Sequence, residues 1–203
     1  MRSKFLLAAA LFVSAVSMAP ASAQDATHDP GRVRPGTYTV EPDHTQIIFG
    51  VLHLGFSTYY GQFARVSGSL DLSPANPAAS HLDVTLPIAS VFTSSGKLDG
   101  ELKGADWFDA ARFPQARFQS TSVTPTGPNS ADIAGNLTLH GITRPVTLKA
   151  RFVGAGRNPV DGSYNVGFSA TGAIRRSEFG VTKYIPLVGD EVDLTISGAF
   201  VRQ

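Results

Sequence analysis

Alternation between apolar and polar residues dominates the chain from residue 37 onward and strongly constrains its fold. Residues 44–54 have apolar side chains at Ile47, Phe49 and Val51, each separated by one residue. Successive side chains of a β-strand point to opposite faces, so this period of two is typical of a strand with one buried face. The pattern recurs at 131–140, 145–153, 164–174 and 192–200. With further strands predicted at 37–40, 63–72, 81–88 and 116–124, the chain is predicted to be all-β.

Turn-forming residues separate the predicted strands. Proline, glycine and asparagine cluster in residues 73–77, 125–129 and 158–162, and such clusters are typical of hairpin loops. Short strands joined in this way are typical of a β-barrel or a β-sandwich. Residues 97–111 break the pattern, because they have helical character and contain Trp107 and Phe108. We expect one or two short helices there.

Glycines within the predicted strands favour a barrel over a sandwich. They are Gly50, Gly68, Gly135, Gly167, Gly172 and Gly198. Strand glycines often mark bends or the close approach of a ligand, and closure into a barrel removes exposed strand edges. Eight strands enclose just enough room for packed side chains or one small ligand. The small residues could create that room, or the glycines could only relieve bends, and both alternatives stay open.

The N-terminus has the three parts of a secretory signal peptide. Arg2 and Lys4 are basic, residues 5–16 form an apolar run too short to span a bilayer, and residues 21–23 are Ala-Ser-Ala. We expect cleavage after Ala23 and a periplasmic mature protein; an uncleaved anchor is the alternative. The predicted organisation is a signal peptide at 1–23, a flexible polar lead-in at 24–36 and a single barrel domain at 37–203.

Charge and cysteine content exclude several classes of function. The chain has 17 Lys and Arg against 16 Asp and Glu, and loss of Arg2 and Lys4 would leave 15 basic residues. Nucleic-acid binding needs clustered basic residues, so no nucleic-acid partner is expected. No later segment is long and apolar enough for a stable membrane anchor. The absence of cysteine excludes thiol catalysis, iron–sulfur clusters and cysteine zinc sites.

The histidines and serines form no pattern typical of a metal site or a catalytic site. His44 and His53 are nine positions apart and would lie on opposite faces of a regular strand. His81 and His140 have no carboxylate at ligand spacing, and no Gly-x-Ser-x-Gly motif occurs. We therefore expect no metal, no cofactor and no enzymatic activity. His53 shares the parity of Phe49, so it is interpreted as a polar group in a cavity or as a structural hydrogen-bonding residue.

Four motifs follow one another in a distinctive order. They are YTVEPDHTQIIFGVLH at 38–53, LKGADWFD at 102–109 with Phe113, Pro114 and Phe118 after it, GNLTLHGITRPV at 135–146 and RSEFG at 176–180. This order resembles the YceI-like family from Tyr38 to the C-terminus. The resemblance implies an exported, lipocalin-like antiparallel eight-stranded barrel that holds a polyisoprenoid or similar amphiphile without catalysis. One position departs from the family, because Glu101 stands where many members have histidine, so no role of that histidine is transferred.

The expected ligand site combines an apolar interior with late basic residues. Arg175 and Lys183 flank Arg176 near aromatic residues, and these cations could form a rim for an anionic head group or be ordinary surface charges. The 135–145 motif has a mainly structural interpretation, with a turn at His140 and its core side chains on the strand before it. The predicted ligand-binding residues are Phe49, Val51, His53, Phe118, Leu137, Phe168, Ala170, Arg176 and Phe179.

Cavity physics suggests the ligand. Each buried methylene contributes about 0.8 kcal/mol, so a long tail gains more from a dry interior than from any single polar contact. We expect a periplasmic carrier of an isoprenoid (polyprenyl or quinone-like) lipid or another long-chain amphiphilic lipid. The alternatives are a small enzyme that acts on such a lipid and a structural or stress-response barrel with a packed interior. The sequence is compatible with a homodimer and does not determine the oligomeric state.

Overall fold

The secondary structure is almost entirely β-strand in the computed structural model, which describes residues 26–203. The predicted signal peptide therefore lies outside the described residues. The strands are β1 Gly36–Val40, β2 Gln46–His53, β3 Ser57–Phe63, β4 Ser67–Leu72, β5 His81–Pro87, β6 Phe92–Thr93, β7 Gln115–Gly127, β8 Ser130–Leu139, β9 Ile142–Arg157, β10 Tyr164–Arg175 and β11 Val188–Arg202. Helix α1 spans Gly96–Leu102, and four short 3-10 helices cover Pro30–Arg32, Pro77–Ala79, Ile88–Ser90 and Arg176–Phe179.

Eight antiparallel strands close into a barrel. Their order around the ring is β1-β4-β5-β7-β8-β9-β10-β11, and β11 pairs again with β1. The closing ladder places Tyr38 opposite Arg202 and Val40 opposite Phe200. Closure leaves these eight strands without a free edge in the ring. The predicted antiparallel eight-stranded barrel with a short helix is confirmed.

The sheet continues beyond the closed ring at one end of the barrel, through β2, β3 and β6, and there it does not close. β2 continues the line of β1 along β11, pairing Val51 with Val192 where β1 has already ended. β3 pairs with β2, and β6 pairs with β3. In the described part of the chain β6 does not pair with β7. Residues 94–114, which we call the insert, fill this gap, so the insert end of the barrel is closed by side chains rather than by a strand ladder.

The strand predictions hold where one face is buried. Predicted strands at 44–54, 131–140 and 164–174 correspond to β2, β8 and β10, and all three predicted hairpin loops join antiparallel neighbours. The prediction was wrong at 63–72, which is broken near Arg65 with a φ of 57°. β3 and β6 were not predicted. The turn at His140 and Gly141 has φ values of 52° and 75°, as the two-residue turns of twisted hairpins require.

The described part of the predicted flexible lead-in is held against the far end of the barrel, opposite the insert. The Thr27 and Ala155 backbones exchange hydrogen bonds of 2.7 and 3.0 Å. Val33 is buried, and the Arg34 guanidinium lies 4.6 Å from the centre of the Tyr164 ring. The Tyr38 hydroxyl donates to the Arg34 carbonyl at 2.6 Å. These contacts make the segment from residue 27 part of the barrel wall.

Two clusters of buried side chains fill the two ends of the barrel. The cluster at the insert end includes Phe63, Leu102, Trp107 and Phe179. The cluster at the far end includes Tyr38, Phe152, Val166 and Phe200. Burial of one such large apolar side chain stabilises the fold by about 1.5–3 kcal/mol. The clusters anchor both ends and leave space along the axis between them.

Candidate ligand-binding cavity

The barrel interior contains two adjoining cavities. One of about 420 Å³ extends from the insert end, and another of about 210 Å³ lies at the far end. The residues that border both are Leu82, Leu148, Ile196, Gly198 and Phe200. The larger volume lies within the range of small-molecule binding sites. The two cavities therefore form successive chambers along the barrel interior.

The wall of the large cavity is almost wholly apolar. Its main apolar contributors are Ile47, Phe49, Val51, Phe63, Val84, Leu86, Phe118, Leu137, Leu139, Val146, Leu148, Val192 and Leu194. These residues come from β2, β3, β5, β7, β8, β9 and β11, each through the inward face of its alternating pattern. The insert adds Leu98, Leu102, Trp107 and Phe108. A cavity with so few polar partners favours an apolar occupant over ordered water.

Inward glycines let aromatic rings lie flat against this wall. A Cβ built on Gly135 would lie 2.4 Å from Phe118 Cζ and 2.5 Å from the Gln119 carbonyl oxygen. A Cβ on Gly61 would lie 2.3 Å from Phe49 Cζ. The glycines thus make room for rings near the strands and keep the axis of the barrel open. Backbone conformation instead explains the glycine at position 68, which has a φ of +139°.

A row of alanines borders the second cavity. Ala131 of β8 pairs with Ala150 of β9, which pairs with Ala170 of β10. Three rings surround the row: the Phe168 centroid lies 5.8 Å from that of Phe152 and 6.2 Å from that of Phe200. Small side chains on three adjacent strands therefore leave the space that the second cavity occupies.

The predicted ligand-binding residues fall into three groups. Those that border the large cavity are Phe49, Val51, His53, Phe118, Leu137 and Arg176. Phe168 and Ala170 border the second cavity. Phe179 borders neither and is 1% exposed, because its 3-10 helix turns the ring into the insert-end cluster beside Leu139. Phe179 therefore supports the wall from behind.

Arg176 lies buried in the cavity wall, 5% exposed, rather than on an exposed rim. Its guanidinium donates to three backbone carbonyls, and burial lowers the pKa of Arg176 while the charge of Asp190 opposes this shift. Arg175 is exposed, and Lys183 pairs with Asp106 at 2.6 Å. Arg175, Arg176 and Lys183 thus have three different environments.

The histidines lie apart from one another. His53 borders the large cavity with its ring centre 6.3 Å from that of Tyr59. His44 is exposed beside Glu41, and His140 Nδ1 lies 3.0 Å from the Phe179 carbonyl oxygen. Within residues 26–203, no group of three or more His, Asp or Glu side chains could hold a metal ion. The helices of that same range include none with the length and apolarity needed to cross a bilayer.

Sequence reasoning missed the contribution of the insert to the site. Leu98, Leu102, Trp107 and Phe108 all border the large cavity, as does Glu101 at its margin. The Ser95 side chain caps α1, and Asp99 accepts hydrogen bonds from the Thr93 amide and hydroxyl at 2.7 and 2.8 Å, which fixes the helix against β6. The apolar spacing within the predicted helical segment was the available signal.

Comparisons with known proteins agree with this architecture. A UPF0312 protein of Azotobacter vinelandii is 38% identical over 175 residues, which cover 85% of this chain and 91% of that protein. The crystal structure of Burkholderia cenocepacia BcnA superposes with a TM-score of 0.71 at 26% identity, covering 79% of this chain and 98% of BcnA. A polyisoprenoid-binding domain from Saccharophagus degradans shares the fold, with a TM-score of 0.64 at 12% identity over 84% of this chain and all of that domain.

The family comparison covers nearly the whole described barrel. The sequence model of the YceI-like domain matches residues 38–200, from the buried Tyr38 of β1 to Phe200 of β11. The matched range contains all or most of every strand of the closed ring, together with the insert that completes the cavity. The chain therefore belongs to the YceI-like family.

Proposed function

We propose that the protein binds the tail of one long isoprenoid-type lipid inside its barrel and holds or carries it without transforming it. The observation that carries this proposal is the pair of adjoining apolar cavities. Each methylene or methyl group moved from water into such space contributes about 0.8 kcal/mol. A tail that occupies both chambers thus gains most of its affinity from burial.

Two further observations favour an isoprenoid tail. The polyisoprenoid-binding domain from Saccharophagus degradans shares this barrel fold. Rings at Phe49 and Phe118 lie against the wall over glycines, which widens the interior for a methyl-branched chain. The proposal extends the ligand class of that domain to this chain because the cavities offer matching chemistry.

The polar groups of the cavity support binding over catalysis. General acid–base chemistry needs a partner within hydrogen-bonding reach of the reacting group. His53 and Glu101 both border the large cavity, yet the described residues include no hydrogen bond between His53 and a carboxylate. Glu101 instead lies 4.0 Å from Lys97 at the surface.

We place the mature protein in the periplasm on the basis of the basic, apolar and Ala-Ser-Ala order of residues 1–23. N-terminal sequencing of the exported protein should give a first residue near Gln24. An exported protein that retains Met1 would contradict cleavage.

Native mass spectrometry of protein purified from its host tests the binding function. We expect one co-purifying lipid of defined mass, and rebinding of a long prenol after delipidation. Val51→Trp fills the large cavity and should abolish binding, whereas Leu52→Trp, on the exposed face of the same strand, is the matched control. A parent protein that neither retains a lipid nor rebinds prenols would refute the proposal, and turnover of the lipid would identify an enzyme.

A further inference from the structure

Arg176 is a buried cation on the wall of the large cavity. Its Nε donates to the Gly189 carbonyl at 2.8 Å, Nη1 to the Val181 carbonyl at 3.0 Å and Nη2 to the Val188 carbonyl at 2.8 Å. A guanidinium has five N–H donors, so these bonds leave one donor on each Nη atom. No carboxylate in the described residues hydrogen-bonds to this guanidinium. The three bonds also fix the group in one orientation.

Trp107 places a second donor on the same wall. It is 9% exposed, and its Nε1 is a buried side-chain nitrogen that finds no hydrogen-bond partner within residues 26–203. A buried donor without an acceptor destabilises the folded protein. The Arg176 guanidinium lies 5.5 Å from the centre of the indole ring. The unpaired indole donor and the two spare guanidinium donors therefore belong to side chains that contact each other on the cavity wall.

No described carboxylate is paired directly with the guanidinium at this corner of the cavity. Asp190 influences Arg176 through space, but its carboxylate accepts hydrogen bonds from the Ser177 amide and hydroxyl at 2.9 and 2.8 Å. The side chain of Glu101 is 49% exposed and lies near Lys97. A fixed positive group with spare donors in an apolar wall favours an anionic oxygen acceptor.

We propose that Trp107 and Arg176 form a head-group site for an anionic oxygen group, a phosphate or carboxylate, at one end of the bound lipid. This inference rests on the proposed function, because the head group belongs to the lipid whose tail fills the barrel. Arg176 directly follows β10, and Ala170 of the second cavity lies six residues earlier on that strand. At about 3.3 Å per residue, a tail anchored here crosses roughly 20 Å of wall before it reaches the second cavity.

Two lipids with the same chain isolate the contribution of the head group. Calorimetry should show that geranylgeranyl phosphate binds the delipidated parent protein at least about tenfold more tightly than geranylgeraniol does. Trp107→Phe keeps an aromatic ring beside Arg176, keeps the three carbonyl acceptors of Arg176 and removes the indole donor, and its smaller ring should affect both lipids alike. Since a hydrogen bond to a charged group contributes about 1.5–3 kcal/mol, this variant should lose about tenfold or more of its affinity for the phosphate and little for the alcohol.

Tyr59→Phe is the matched control in the same cavity. The Tyr59 hydroxyl already lies 3.1 Å from Ser94 Oγ, so its removal should leave the ratio of the two affinities unchanged. Equal binding of both lipids by the parent, or an unchanged ratio in Trp107→Phe, would overturn the head-group site while the binding function stands. Comparable binding of inorganic phosphate alone would assign the donors to a free anion and overturn a lipid head group. Failure of both lipids to bind would refute the proposed function itself.

Discussion

Ala170 offers a direct test of how far a bound tail reaches into the barrel. It lies opposite Ala150 on β9 and Ile196 on β11, and it borders the second cavity of about 210 Å³. Ala170→Phe adds a ring to this space, beside the existing ring of Phe168. We expect the substitution to reduce the length of lipid tail that the barrel can hold, while the barrel stays folded.

The expected magnitudes separate an empty chamber from a packed one. Overpacking of a filled core costs about 1–3 kcal/mol, so a ring that enters existing space should cost less than about 1 kcal/mol of unfolding free energy. A tail that loses about four methylenes from the second cavity loses about 3 kcal/mol of binding free energy, or roughly two-hundredfold in affinity. A tail short enough to end in the large cavity should keep its affinity.

The assay measures dissociation constants of delipidated protein for prenols of increasing length, together with urea unfolding. Ala173→Phe is the control, because Ala173 is exposed on the opposite face of the same strand. A long prenol that binds Ala170→Phe as tightly as the parent would show that the tail does not enter the second cavity. Destabilisation of about 1–3 kcal/mol or more without ligand would show that the interior is packed there.

Three further outcomes follow from contacts described above. Gly135→Ala should lower the unfolding free energy by about 1–3 kcal/mol, because its Cβ meets the Phe118 ring, whereas Gly100→Ala in α1, with open space around it, should raise stability by up to about 1 kcal/mol in urea unfolding. The Arg117 guanidinium, hydrogen-bonded to Asp83 at 2.8 Å, holds the pKa of Asp83 below its usual value. The pair therefore stabilises the native state above about pH 4 and loses this effect as the carboxyl is protonated, so a penalty of Asp83→Asn that is equal at pH 7 and pH 3 would contradict the assignment. Binding of prenols should survive EDTA; loss on chelation that one added metal restores would point to a metal site that the cavity geometry does not suggest.

Alternation predicted the strands whose two faces meet different environments. β10 has apolar inward residues and mostly polar outward ones, so the period of two is visible in its sequence. β3 lacks this signal because Gly61 lies on its inward face while Tyr60, 63% exposed, lies on its outward face. Gly61 inside and Tyr60 outside therefore reverse the apolar–polar alternation that a strand with one buried face usually shows.

The candidate site was predictable only in part, for a related reason. Inward residues such as Phe49 and Leu137 follow from strand parity alone. The burial of Arg176 depends on carbonyls at 181, 188 and 189, which only the folded loop brings together. Trp107 was assigned to a helical segment, but its position over the cavity depends on the missing β6–β7 ladder, a property of the whole barrel.

Because β6 and β7 do not pair, the barrel wall is built in two ways. Strand ladders hold the rest of the ring closed. A one-residue change of register in such a ladder would move every side chain of the strand to the other face of the sheet. The insert contributes wall without belonging to any ladder, through Leu102, Trp107 and Phe108. Substitutions in this segment can therefore reshape the interior without breaking a strand-to-strand hydrogen bond. Relatives that share this barrel can therefore differ in the molecules they bind through substitutions in the insert. Such substitutions disturb folding least, because the insert belongs to no ladder.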